Sequence, residues 1–279
     1  IILNPILIFG FLFIPAFGVK GIGIATIISQ LVSFLVILFK VLKNERVGKI
    51  TSEYLVPKFL FFKNIFFQSM PISVSICGYA LAAAIIFTYV GQSGEYAVAG
   101  YGVGTRIEQV VLLPILGINT AIISIIAQNY GANNLVRIKE TYFTAIKYAF
   151  IIMITAGTLV FLSASVITSF FSSDPEVIEY GKRYLKISAF VLPAYPVFFL
   201  SNGFFMALKK SENAMISNFF RNVLNPIVVF YIAKYINASF ETFFWIWVGI
   251  NWFFSISYFF IIIYYFKLKL NKSSTVVHP

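Results

Sequence analysis

Apolar residues along this chain run in long blocks, and polar residues collect between them. The blocks fall near residues 1–14, 22–42, 65–90, 97–127, 143–170, 184–208, 214–236 and 243–266. A helix rises ~1.5 Å per residue and a bilayer's hydrocarbon core is ~30 Å thick, so about 20 apolar residues suffice to cross it. Most of the blocks reach that length, and the pattern predicts an all-α polytopic membrane protein with about eight transmembrane segments. The first block is short and the chain opens at Ile1 instead of methionine, from which a fragment starting inside a helix is expected.

Composition points the same way. Hydrophobic residues make up 59% of the chain, aromatics 19% and charged residues only 11%, more apolar surface than a soluble domain can hide. The formal charge of +11 does not imply a nucleic-acid partner, because Lys and Arg stand in short clusters between apolar blocks and not along one polar face. They read as topology signals. If the segments alternate across the bilayer, one side receives Lys40, Lys43, Arg46, Lys49, Lys58, Lys63, Arg137, Lys139, Lys209, Lys210, Lys267, Lys269 and Lys272. The other receives Lys20, Lys182, Arg183, Lys186 and Lys234. The excess of positive charge puts the first set and the C-terminal tail in the cytoplasm, in a multi-pass plasma or inner membrane protein. The loops near Phe17, Gly94, Asp174 and Ala238 then lie outside. The cluster from Lys182 to Lys186 runs against this and reads as snorkelling residues at a helix start.

Candidate chemistry is sparse. One cysteine, Cys77, permits no internal disulfide, and a single histidine, His278, leaves no Cys/His zinc site and no histidine triad. No catalytic residue, metal or organic cofactor is expected, and the chain does not read as an enzyme. Gly100-Tyr101-Gly102-Val103-Gly104 lacks the spacing of a nucleotide loop and reads as a small face for close helix packing.

An internal repeat organises the chain. Leu3-Asn4-Pro5-Ile6 followed by Phe9 matches Leu224-Asn225-Pro226-Ile227 followed by Phe230, and each copy opens a helical hairpin that ends in basic residues. The repeat unit then holds about six helices and the parent about twelve, in two six-helix lobes. On this reading residues 1–42 are the last two helices of a first lobe and 43–63 a cytoplasmic linker. Residues 64–266 form a complete second lobe, 267–279 are a cytoplasmic tail, and such a fragment is expected to be inactive by itself.

The residues of the repeat also carry a family resemblance. Asn4 through Gly10 and Gly18 through Gln30 resemble the fifth and sixth helices of multidrug and toxic compound extrusion (MATE) transporters. The resemblance extends through Ala97, Gly100 to Gly104, Arg106-Ile107-Glu108 and Pro114 to Ala127-Gln128-Asn129-Tyr130-Gly131-Ala132 and Arg137, then to Leu192-Pro193 and Arg221. It implies a secondary active antiporter that exports organic, often cationic, compounds in exchange for Na⁺ or H⁺ by alternating access between two lobes. The partners would be small organic substrates and the lipid bilayer, for a monomeric protein. A lipid-linked oligosaccharide flippase of the same superfamily is the alternative. It should show several Arg or Lys residues turned inward at membrane depth.

Polar residues at membrane depth are costly unless they line a cavity or meet a partner helix, and they supply the candidate pathway. A helix entering near Ala97 carries Arg106 and Glu108 roughly 14–17 Å deep, where Glu108 could relay a proton or cation and Arg106 tune it. Two residues apart, they point in different directions. Arg221 reads as a snorkelling, structural residue. Asn4, Thr26, Asn119 and Asn225 could bond across helices or face the solute. Many relatives have Asp where Asn4 stands, and some bacterial ones place acids where Tyr79 and Ala194 fall. Any essential coupling carboxylate is therefore expected to be Glu108 or to lie in the four helices expected before this fragment. Pro114, Pro193 and Pro196 are hinge candidates, because each removes a backbone donor from a helix.

Overall fold

The computed structural model describes residues 3–10, 15–43 and 59–274. Among them every regular element is helical: α1 (Leu3–Phe9), α2 (Val19–Leu42), α3 (Phe59–Val90), α4 (Glu95–Gly131), α5 (Leu135–Ser169), α6 (Pro175–Ser188), α7 (Tyr195–Ala207), α8 (Ser211–Phe219), α9 (Asn225–Tyr235) and α10 (Phe240–Ser274). A 3₁₀ turn at Leu192–Ala194 joins α6 to α7, and a π-helical turn at Phe220–Leu224 joins α8 to α9. Among the described residues, Val19–Leu42, Glu95–Gly131, Leu135–Ser169, Pro175–Ala207 and Phe240–Leu268 are long and apolar enough to cross a membrane. Large apolar side chains on their outer faces stand exposed, among them Phe34, Leu162 and Phe253. A bilayer tolerates that exposure and water does not.

The chain divides into two compact units, Ile1–Asn64 and Ile65–Pro279. The expected linker falls mostly on residues 44–58, outside the described residues, and α3 already runs from Phe59. Residues 275–279 of the expected tail lie outside as well, while α10 continues to Ser274. In the first unit, the backbone N–H groups of Phe17 and Gly18 donate to the carbonyls of Leu7 and Ile8 at 3.0 and 3.3 Å. Gly21 of α2 sits on the carbonyl of Leu7, where any larger residue would collide.

In the second unit α4 packs against α5, α6 and α7, and α10 against α6, α7 and α9. The sequence marks where the helices begin. Asn134 caps α5 by accepting from the backbone N–H of Arg137 at 3.0 Å. Asp174 caps α6 by accepting from those of Glu176 and Val177 at 2.9 and 3.4 Å, with Pro175 at the first helical position. The glycine stripe of α4 has the packing role expected of it. A Cβ at Gly100 would fall 2.7 Å from the backbone nitrogen of Gly181 in α6, and one at Gly104 would enter the ring of Tyr184. Gly102, on the opposite side, has open space.

Pro193 and Pro196 fall at the break between α6 and α7, in the 3₁₀ turn and the first turn of α7. Carbonyls there are recaptured by α10: Trp252 Nε1 donates to Phe190 O at 2.8 Å and Ser255 Oγ to Ala194 O at 3.1 Å. Pro114 lies inside the unbroken helix α4, exposed on its surface. Of the cluster that ran against the charge pattern, Lys182 and Arg183 are tied by carboxylates, while Lys186 lies over the Phe161 ring. Glu179 accepts from Lys182 at 2.9 Å and Arg183 at 3.0 Å, and Arg183 reaches Glu241 of α10 at 2.8 Å.

Candidate functional site

Glu108 is the centre of a polar arrangement in the second unit that joins α4, α6 and α7. Its carboxylate is held on both oxygens. Tyr184 of α6 donates its hydroxyl to Oε2, and Tyr195, the first residue of α7, donates to Oε1 at 2.5 Å. The two tyrosines stand on either side of the Pro193 break, so one carboxylate from α4 ties both segments of the broken helix. Gly104, one turn before Glu108, leaves room for the Tyr184 ring to reach it.

Tyr195 is bonded on one side to Glu108 and stacked on the other by a cation. The Arg221 guanidinium carbon lies 4.9 Å from the Tyr195 ring centroid, 4.1 Å from that of Phe198 and 5.5 Å from that of Phe199. Arg221 donates from Nε to Asn251 Oδ1 at 3.3 Å and from Nη1 to the Tyr79 hydroxyl at 3.4 Å. Asn251 is itself anchored by its Nδ2, which donates to Trp247 O at 2.9 Å. The expectation of a snorkelling Arg221 is corrected here: the side chain is buried, 7% exposed. The π-helical turn carries it, and such turns occur where a helix admits an extra residue, often at functional positions. Pro226, close behind, has no backbone N–H to give to a preceding carbonyl, which favours irregular helix at this place.

Both charged groups line one cavity of about 250 Å³, together with Tyr79, Thr105, Gln109 and Asn222. Its apolar walls come from Tyr101, Phe244 and Trp247. A carboxylate and a guanidinium fixed in an aromatic chamber can bind charge or hydrogen-bonding groups. The described residues show no group of three or more His, Cys, Asp or Glu that could hold a metal ion.

The other candidates are distributed as follows. Arg106 is exposed on the far side of α4 and takes no part in the cavity, as its two-residue offset from Glu108 demands. Tyr79 lines the cavity and bonds Arg221. Asn119 packs on Gly203 of α7, and its buried Oδ1 has no hydrogen-bond partner among the described residues. Asn225 is fully buried, and neither its Oδ1 nor its Nδ2 has a hydrogen-bond partner among the described residues. In the first unit Asn4 and Thr26 border an open groove with Ser29, Gln30 and Ser33, and Thr26 Oγ1 donates to Ile22 O at 2.9 Å. Tyr184, Tyr195, Arg221 and Asn251 were not singled out for the site by sequence. The tyrosines gave no signal, being apolar enough to pass as helix filler, while Arg221 had one in its membrane position.

A chain of membrane-length helices packed around a charged, aromatic-walled cavity is a polytopic α-helical membrane protein. The MatE family model matches residues 71–231, from within α3 to within α9, and the chain belongs to the MatE family. Multidrug export protein MepA of Staphylococcus haemolyticus is 28% identical over 218 residues, covering 77% of this chain and 47% of that protein. A FAD transporter of Shewanella oneidensis is 24% identical over 238 residues, covering 85% of this chain and 53% of that protein. The fold is also that of a MOP superfamily transporter from Pyrococcus furiosus, with a TM-score of 0.84 at 23% identity over 97% of this chain and 59% of that one. The chain thus spans about half the length of the curated relatives it matches.

Proposed function

We propose that the chain works within a secondary active antiporter that exports organic, often cationic, compounds in exchange for Na⁺ or H⁺, by alternating access between two lobes. The observation that carries this is Glu108, a carboxylate at membrane depth whose two hydrogen bonds come from neutral hydroxyls and not from a cation. A carboxylate so held keeps capacity for a proton, a metal cation or an ammonium group, one at a time. Competition among these for one group is the simplest way to couple export of one to entry of another. The similarity to the Staphylococcus haemolyticus multidrug export protein supports the same reading.

Glu108→Gln in the intact transporter should reduce gradient-driven efflux of a fluorescent organic cation to background while membrane expression stays unchanged. Efflux at the wild-type rate would return Glu108 to a packing role. The flippase alternative gains one buried cation among the described residues, Arg221, short of the several that its anionic carrier calls for.

A further inference from the structure

We propose that the cavity between Glu108 and Arg221 selects a small aromatic zwitterion, with the ligand's cationic group at Glu108 and its anionic group at Arg221. This rests on the transport reading above and names the substrate class of the same cavity.

Two oppositely charged side chains share the chamber without pairing. The ion pairs among the described residues join Arg137 to Glu140, Lys182 and Arg183 to Glu179, and Arg183 to Glu241. None joins Arg221 to Glu108, although both line the same cavity. Each is held by neutral groups: the carboxylate by Tyr184 and Tyr195, the guanidinium by Asn251, Tyr79 and three aromatic rings. Keeping two full charges apart at membrane depth is costly, and direct contact would relieve part of that cost. Tyr195 prevents it. Its hydroxyl is bonded to one charge and its ring face is covered by the other, so the phenol acts as a spacer.

Binding capacity remains on both sides. A guanidinium has five N–H donors, and Arg221 spends two hydrogen bonds on uncharged oxygens. Each carboxylate oxygen of Glu108 accepts one hydroxyl and retains a lone pair. A ligand with a cation alone would meet Glu108 but be repelled by Arg221, and a ligand with an anion alone would meet the reverse. A zwitterion satisfies both, and Tyr101, Phe244 and Trp247 offer faces for an aromatic body. The chamber, at about 250 Å³, admits a single-ring molecule more readily than a polycyclic one.

Three single-ring probes separate the possibilities: L-phenylalanine carries both charges, phenethylamine the cation alone and 3-phenylpropanoate the anion alone. Binding of radiolabelled phenylalanine to the intact purified transporter would be measured with the other two as competitors. The zwitterion should bind about tenfold or more tightly than either, the ratio that loss of one charge-assisted contact produces. Arg221→Gln should erase the advantage over phenethylamine, and Glu108→Gln the advantage over 3-phenylpropanoate. The wild-type ratios decide the matter even if a variant fails to fold. Phenethylamine binding as tightly as phenylalanine would overturn the zwitterion assignment and leave organic-cation export standing. Absence of binding by all three would also overturn it, and efflux of a larger organic cation would then show whether the transport reading survives.

Discussion

A carboxylate at membrane depth has to be compensated, and at Glu108 the compensation is neutral. Two tyrosine hydroxyls take one lone pair on each oxygen and add no countercharge, whereas a salt bridge to a neighbouring lysine or arginine would supply one. Tyr195→Phe keeps the ring beneath Arg221 and removes only the hydroxyl. It should slow efflux severalfold while changing stability by no more than about 1 kcal/mol, since one side-chain hydrogen bond within a membrane protein averages ~0.6 kcal/mol. Normal efflux with a large loss of thermal stability would mean that the hydroxyl serves packing alone. At this scale the sequence was half legible. The place of Glu108 inside a membrane-length helix is readable from the apolar block around it, and the divergence of Arg106 follows from the helical turn. Tyr184 and Tyr195 come from another helix, and nothing along the chain says which of 16 tyrosines will meet a given carboxylate. Arg221 misleads for a related reason: linear distance from a helix end suggests snorkelling, whereas a π-helical turn and three aromatic rings hold it inside.

At the scale of elements, the placement of Glu108 depends on how closely α4 approaches α6. Gly100 sets that approach against backbone, which cannot move aside as a flexible side chain can. Gly100→Val should therefore destabilise the protein by about 1–3 kcal/mol, the range for overpacking. Gly102→Ala, into open space, should be neutral or stabilise by up to ~1 kcal/mol. Thermal unfolding of the two variants in detergent or lipid checks the contrast, and equal effects would mean that the stripe does not set the helix spacing. The broken helix offers a second test. Ser255→Ala removes the cross-helix bond to Ala194 O, and a cost of about 0.5–2 kcal/mol is expected if α10 supports the break. Most helices were legible from their apolar blocks, and the break from Pro193 and Pro196, but α6 already starts at Pro175, ahead of the block at 184–208, because its first turns are charged. The recapture of its carbonyls by Trp252 and Ser255 was not, because it depends on the register of α10 against α6 and α7.

For the whole molecule, charge asymmetry proposes a topology with the C-terminal tail in the cytoplasm and the Asp174 turn outside. In an intact transporter freed of its cysteines, Cys77→Ser included, Ser173→Cys should react with a membrane-impermeant maleimide added to intact cells. Labelling only after permeabilisation would invert the orientation. The central claim, ion-coupled export, is tested most directly by efflux of a fluorescent organic cation from cells producing the intact transporter, with the Na⁺ and proton gradients collapsed one at a time. The account predicts efflux that stops when one of the two gradients is removed and that is lost in Glu108→Gln. Efflux indifferent to both gradients, or none at all from folded protein in the membrane, would contradict it.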